Sequence, residues 1–217
     1  MRRVTESTKI REGRGLGDGS KYKPWIKARE IAGEGTASTF PDYKHGREIQ
    51  VLSQGEAYYY YLFRWRDDVL DIKEQYPLNK KETMELATSM HIKHPDVTLT
   101  TDLLIIKKDG TKEAYSIKDS RKVLKDKEVK DRIALEKSYW DIYKVKFEVL
   151  FKRDVNAIKV QNIMDVTKCY YLCDVQTKED LVRHKIANKE IITDMDSDYI
   201  CYKKLFPLLE QGSDDDE

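Results

Sequence analysis

Residues 100–118 read TTDLLIIKKDGTKEAYSIK, and the fold turns on how this stretch pairs with itself. Thr101, Leu103 and Ile105 alternate with Asp102, Leu104 and Ile106. This two-residue period predicts a strand carrying an acid where the pleat should be apolar. Asp109-Gly110 predicts a tight turn, because Gly takes positive φ freely and Asp tolerates it. Ala114 to Lys118 then returns as a second strand. A three-residue loop sets Asp102 opposite Lys118. A strict two-residue turn on Asp109-Gly110 pairs Asp102 with Ile117 instead, and one bulge restores the first match. Both arrangements bring a carboxylate and an ammonium together at one end of a hairpin.

Such a pair suits metal-assisted hydrolysis of a phosphodiester. The Asp102 carboxylate and the Ile117 carbonyl are oxygen donors of the kind Mg2+ takes, with Mn2+ as a substitute. Lys118 can orient or deprotonate the attacking water and neutralise charge on the phosphate. The order Asp, hairpin, (Asp/Glu)-x-Lys resembles the PD-(D/E)xK nuclease core, with Ser116 standing where that core has an acid. Taken alone, the stretch favours a plainer reading, a surface hairpin with an ordinary cross-strand Asp–Lys pair worth little stability. A chain in which 36% of residues are charged yields D…x-K patterns readily.

The 217 residues make one medium domain, or a domain and an appendage, with 40% hydrophobic content and a net charge of +1. No apolar run is long enough to span a membrane and no signal peptide is visible, so a soluble cytoplasmic protein is expected. Cys169, Cys173 and Cys201 form no Cys-x-x-Cys pair and read as reduced thiols. His45 and His184 stand alone, while His91 and His94 with Pro95 read as a helix end and turn. Charge is uneven along the chain: residues 1–30 hold nine Lys/Arg against four Asp/Glu, and 210–217 hold five acids and no base. A basic N-terminal arm favours a polyanion through phosphate neutralisation and counterion release. The acidic tail reads as disordered and solubilising.

Four segments organise the chain: a basic Gly-rich arm over 1–20, a catalytic domain over 21–166, a short C-terminal domain over 167–210 and an acidic tail over 211–217. The arm reads as flexible, and its GRGLGDG run lacks the Gly-Lys-Ser/Thr ending of a phosphate-binding P-loop. Arg11, Arg14, Lys21 and Lys23 are its candidate DNA contacts. Residues 40–52 predict a hairpin turning near His45-Gly46, and 53–66 a helix. Ser53 caps that helix, with Glu56 three residues on. The spacing fits a capping box, and equally an acid aimed into a site. Tyr58 to Tyr61 read as core packing with hydroxyls on polar partners. A strand over 69–75 stops at Pro77, with Glu74 facing either the site or solvent. Asn79 caps a helix over 80–90. Ser120 is expected to cap a long helix reaching Tyr143, with Val129, Ile133, Tyr139 and Trp140 on its apolar face. Arg121 and Lys122 in its first turns are placed for phosphates, or are an ordinary solvated start. A strand over 146–151 and a helix over 156–166 complete an α/β architecture, a mixed sheet flanked by helices. Beyond 167 the chain predicts a link or strand over 168–174 and short helical segments over 177–186 and 189–210.

Four stretches together resemble the TnsA family, the endonuclease subunit of heteromeric transposases. They are KIREGRGLGDGSKYKPWI in the arm, LSQGEAYYYYLFRWRDDVLDIKEQYPL across the first helix and strand, KHPDVTLTTDLLI into the hairpin, and ALEKSYW in the long helix. The resemblance spans about residues 9–165. It implies a restriction-endonuclease-like PD-(D/E)xK fold, and a small helical appendage where the family has a larger winged-helix-like domain. By position it implies the catalytic set Glu56, Asp102, Ser116 and Lys118, with Mg2+ on Asp102, the Ile117 carbonyl and Glu56. The family usually has Gln at the position of Ser116. The shorter, uncharged side chain implies weak metal affinity in the isolated chain and activity that depends on assembly. The implied task is to cut the 5′, non-transferred strands at transposon ends. A DDE-type, TnsB-like transposase subunit cuts and joins the 3′ ends. An AAA+, TnsC-like ATPase regulator couples both to a target, in some systems one chosen by a CRISPR effector. Two further readings stay open: a non-catalytic adaptor between transposase and ATPase, motivated by Ser116, and a stand-alone nuclease.

Overall fold

The computed structural model describes residues 4–31 and 37–209, so the acidic tail lies outside the described residues. The chain divides into two units, Met1–Val155 and Asn156–Glu217. Among the described residues no helix is long and apolar enough to cross a membrane, and all three cysteines are free.

The first unit opens with α1 (Glu6–Arg11), then a hairpin of β1 (Ser38–Pro41) and β2 (Glu48–Val51). There follow α2 (Gln54–Arg64), β3 (Val69–Pro77), α3 (Lys80–Ser89), β4 (Thr100–Lys107), β5 (Lys112–Lys118), α4 (Lys127–Ile142) and β6 (Lys146–Phe151). The main sheet runs β3-β4-β5-β6. Its first two pairings are antiparallel and the β5–β6 pairing is parallel. The parallel step follows from α4, since strands side by side in one direction need a long crossover between them. The mixed sheet flanked by helices is therefore as expected.

Alternation in the strands makes two apolar layers. Ile72, Leu103, Ile105, Tyr115 and Ile117 pack with Tyr60 and Phe63 of α2 and with Ile49 and Val51 of β2. Leu104 and Ala114 pack on the opposite face with Ala87 of α3 and with Leu135, Tyr139 and Trp140 of α4. Two buried ion pairs tie the α2 layer together. Arg47 donates to both oxygens of Glu74 at 2.7 and 2.6 Å, and Arg64 does the same to Asp42 at 3.0 and 2.8 Å. Glu74 is thus neither solvated nor in the site, because an arginine fork takes both of its oxygens.

Three expectations are corrected here. The β4–β5 register pairs Leu103 with Tyr115 and Ile106 with Lys112, so Asp102 stands level with Ser116 rather than with Ile117 or Lys118. The turn centres on Asp109, whose Oδ1 accepts from the Thr111 N–H at 2.9 Å and its hydroxyl at 2.7 Å. Gly110 takes the left-handed φ of +84°. The long helix begins six residues later than read. Residues 121–125 form a 3-10 turn without a side-chain cap from Ser120, and Asp126 caps α4 through the N–H groups of Glu128 and Val129. The described part of the arm, residues 4–20, finally, is folded. Its Arg14 is 4% exposed, donates to the Trp25 carbonyl at 3.1 Å and pairs with Glu30 at 2.6 Å.

The second unit holds α5 (Ala157–Val166), α6 (Lys178–Ala187) and a 3-10 segment over Tyr202–Leu209. Its boundary falls ahead of α5, not behind it. Asn162 of α5 donates to the carbonyls of Met195 and Asp198 at 3.0 and 2.8 Å, and Asp165 holds Arg183 and Tyr202 at 3.1 and 2.6 Å. Residues 167–174 contain two 3-10 turns rather than a strand, and no helix forms over 189–201.

Candidate active site

Beyond Leu103–Tyr115 the two strands part, and the Asp102 carboxylate sits in the fork. Its Oδ2 accepts from the Ile117 N–H at 2.6 Å, in place of a backbone carbonyl of β4. Lys118 folds back into the same fork. Its Nζ lies 3.3 Å from Asp102 Oδ2, 2.7 Å from Ser116 Oγ and 3.2 Å from the Ile117 carbonyl oxygen. Ser116 Oγ is 3.5 Å from Asp102 Oδ2. The expected meeting of carboxylate and ammonium thus occurs, though through a different register.

Glu56 reaches the fork from the start of α2. Gly55 permits the approach: a Cβ there would stand 3.1 Å from both Ile117 Cγ2 and Lys152 Cβ. Ser53 caps the helix, its Oγ accepting from the Glu56 N–H at 3.2 Å. The Glu56 carboxylate answers by accepting from Ser53 Oγ and the Leu52 N–H, each at 2.9 Å. The capping role is therefore met, and the same carboxylate stays a candidate for the site. A third donor, Gln75 Nε2, lies 3.1 Å from Glu56 Oε2. Burial, then the charge of Asp102, pushes the Glu56 carboxyl up to about 7 against the pull of these donors.

Glu136 is a candidate site residue that sequence reading missed. It lies on α4, 1% exposed, with Oε1 accepting from Arg132 Nε at 3.3 Å and Oε2 without a partner. Burial, then the Asp102 charge, raises its carboxyl to about 7, and Arg132 and Lys118 oppose the rise. An orphaned buried carboxylate oxygen is costly unless something occupies it. The available signal was an acid three residues after Ile133 and three before Tyr139, inside the apolar stripe.

No group of three His, Cys, Asp or Glu side chains converges as a ready-made metal cage among the described residues. Mg2+ does not need one, since it keeps several waters and takes one or two carboxylates. The donor set fits such an ion: Asp102, the Ile117 carbonyl, Glu56 and the unpartnered Glu136 Oε2 are all hard oxygens. A cavity of about 550 Å3 bounded by Lys93, His94, Asp96, Glu128 and Arg132 takes none of the fork residues.

Of the candidate phosphate contacts, Arg11, Lys21, Arg121 and Lys122 are exposed. Lys23 is exposed and donates to the Glu12 carbonyl at 3.1 Å. Arg121 pairs with Asp154 at 2.7 Å and lies over the Phe151 ring at 4.6 Å. Arg14, turned inward, leaves the set.

The family model described as TnsA-like endonuclease N terminal matches residues 66–151, the stretch that holds Asp102, Ser116, Lys118 and Glu136. The chain is also 31% identical over 182 residues to the Transposon Tn7 transposition protein TnsA of Escherichia coli. That match covers 81% of this chain, which spans 64% of the relative's length. The forked mixed sheet is the restriction-endonuclease-like fold of that domain, and over this stretch the chain is similar to the TnsA family.

Proposed function

We propose that this protein is the metal-dependent DNA endonuclease subunit of a cut-and-paste transposase, hydrolysing the 5′, non-transferred strands at transposon ends. The carrying observation is the fork: Lys118 Nζ within 3.3 Å of Asp102 and 2.7 Å of Ser116, with the Glu56 and Glu136 carboxyls both feeling the Asp102 charge. Asp102 and the Ile117 carbonyl would hold Mg2+, or Mn2+ in its place, with Glu56 and Glu136 as further oxygen donors. When bound, the ion supplies charge neutralisation at the phosphate and an acidified water. Lys118 orients the attacking water and sets a positive charge beside the scissile phosphate. Glu56 would serve the ion in its carboxylate form, and the proton that the water releases passes to solvent. The products are a 5′-phosphate and a 3′-hydroxyl.

Ser116 brings no charge, and Glu136 supplies an acid from another element. That argues for an active nuclease over a decayed adaptor. Arg11, Lys21, Lys23, Arg121 and Lys122 would contact the backbone of the end DNA, which positions a duplex without reading its sequence. End recognition and 3′-strand joining fall to a DDE-type partner, and coupling to a target falls to an AAA+ regulator.

Strand-resolved cleavage of transposon-end DNA with Mg2+ tests this, with and without both partners, wild type beside Asp102→Ala. A 5′-strand cut that needs the partners and drops at least ~10²-fold in the variant is expected. A cut indifferent to Asp102 would sink the assignment.

A further inference from the structure

Gln75 stands inside β3 with φ +49°, a conformation that residues with side chains avoid. Pairing with β4 runs from Glu74↔Leu103 to Tyr76↔Thr101, so Gln75 lies level with Asp102 at a gap in the ladder. Both strands change face there. Leu103 packs in the α2 layer, whereas Tyr76 packs in the α4 layer and Thr101 Oγ1 accepts from Trp140 Nε1 at 2.8 Å.

The side chain, 1% exposed, joins three elements. Its Oε1 accepts from Thr100 Oγ1 at 3.0 Å and its Nε2 donates to Glu56 at 3.1 Å. Its backbone carbonyl accepts from the Trp25 N–H at 3.2 Å. The same N-terminal segment grips β3 on both sides. Tyr22 Oη donates to the Glu74 carbonyl at 3.0 Å and the Gly19 N–H to Asp71 at 2.9 Å. Gly15 packs so closely that a Cβ would fall 2.3 Å from Pro77 Cγ.

The other two donors to Glu56 belong to its own helix start, so they cannot orient the carboxylate against the sheet. Gln75 can. We propose that Gln75 is a positioning residue that couples docking of the N-terminal segment to the orientation of the Glu56 carboxylate. The segment holds residue 75 in its left-handed conformation, and from there the amide sets Glu56 beside Asp102. The inference rests on the reading of Glu56 as a site acid. It makes the folded arm part of the catalytic architecture, not only a contact for DNA.

The test uses the full chain, Mn2+ alone as probe in calorimetry, and amide hydrogen exchange over 52–58. Gln75→Met keeps length and removes the amide. It should weaken Mn2+ binding about tenfold, speed exchange over 52–58 and leave DNA affinity unchanged. In a Glu56→Gln background the same change should have no effect on Mn2+, because coupled residues are not additive. Gly15→Ala, remote from the fork, should reproduce the Mn2+ loss and the faster exchange, and it carries the test if Gln75→Met fails to fold. An equal Mn2+ loss with and without Glu56 overturns the proposal, as does unchanged exchange over 52–58 in both variants. Asp102→Ala is the control. If it binds Mn2+ like wild type, the nuclease site itself is wrong. If it loses Mn2+ while Gln75→Met and Gly15→Ala do not, the coupling alone is wrong.

Discussion

Buried carboxyls, Glu56 and Glu136 foremost and Glu74 in the same direction, shape how this protein responds to pH. Glu56 and Glu136 each have an ordinary value of 4.5 and are raised to about 7 in the fold, by burial first and the Asp102 charge second. Between those values the folded chain keeps protons that the unfolded chain has released. This contribution to the stability of the metal-free protein is therefore fully present below 4.5 and is lost as pH rises through about 7, on the order of 3 kcal/mol for each group. Carboxyls held low, such as Asp42 beside Arg64, act in the opposite sense only below their ordinary range, whereas His45, lowered by burial first, acts in the opposite sense just below 6.5 and offsets part of the decline across that window. Urea midpoints measured across it should decline, and Glu136→Gln should flatten the decline; an undiminished slope in that variant would mean Glu136 is solvated. Cleavage should run the other way, rising with pH as Glu56 ionises to hold the ion, with a midpoint below the metal-free value because a bound cation favours the carboxylate, and a flat rate profile would remove Glu56 from the site. Glu136→Ala should lower cleavage at least ~10-fold through the loss of an oxygen donor, read as single-turnover rate at saturating DNA. The sequence carried Asp102, Lys118 and Glu56 in view because hairpin and capping signals are local. Glu136 was hidden because the Asp102 charge that acts on it comes from a strand distant in sequence, and Gln75 because nothing in a residue's identity announces a left-handed backbone.

Elements here are placed by single side chains at their ends. Asp126, not Ser120, caps α4. Asp126→Ala should cost about 1 kcal/mol, while Ser120→Ala, with no cap bond to lose, should stay within a few tenths. Chemical denaturation of the two variants checks the pair, and the reverse order would restore the earlier helix start. At α2 the constraint is steric. Gly55→Val would push the first helical turn off Ile117 and Lys152, both 3.1 Å from the missing Cβ. Glu56 moves with that turn, so cleavage should fall by a larger factor than stability alone explains, in an activity assay run well below the melting range. Ser53 and Asn79 were legible as caps by residue type and do cap the helices they precede, while Asn156 and Thr177, read as first helical residues, are caps as well. Ser120 and Asp126 both qualify by type. A 3-10 turn that ends the β5 segment decided between them, and such turns have no clear signature. The hairpin register slipped for a related reason, since Asp109 uses its side chain to close the turn on Thr111.

At the scale of the molecule, every residue assigned to the fork lies in the unit Met1–Val155. The sheet, both apolar layers and the N-terminal segment lie there too. The other unit buries its own apolar set, with Val160, Ile163, Val166, Val182, Ile186 and Tyr202 at or below 9% exposure. It also closes its own polar network around Asn162 and Asp165. A domain of some 150 residues buries enough surface to fold by itself. A chain ending at Val155 should therefore unfold in one cooperative transition and bind Mn2+ within about threefold of the full chain. The urea slope should shrink with the surface removed. Circular dichroism under urea and calorimetry with Mn2+ measure these quantities. A non-cooperative transition would show that the fork needs the second unit for its fold. A cooperative one with metal binding lost would place a donor to the site beyond Val155, against the assignment made from Glu56, Asp102, Ile117 and Glu136.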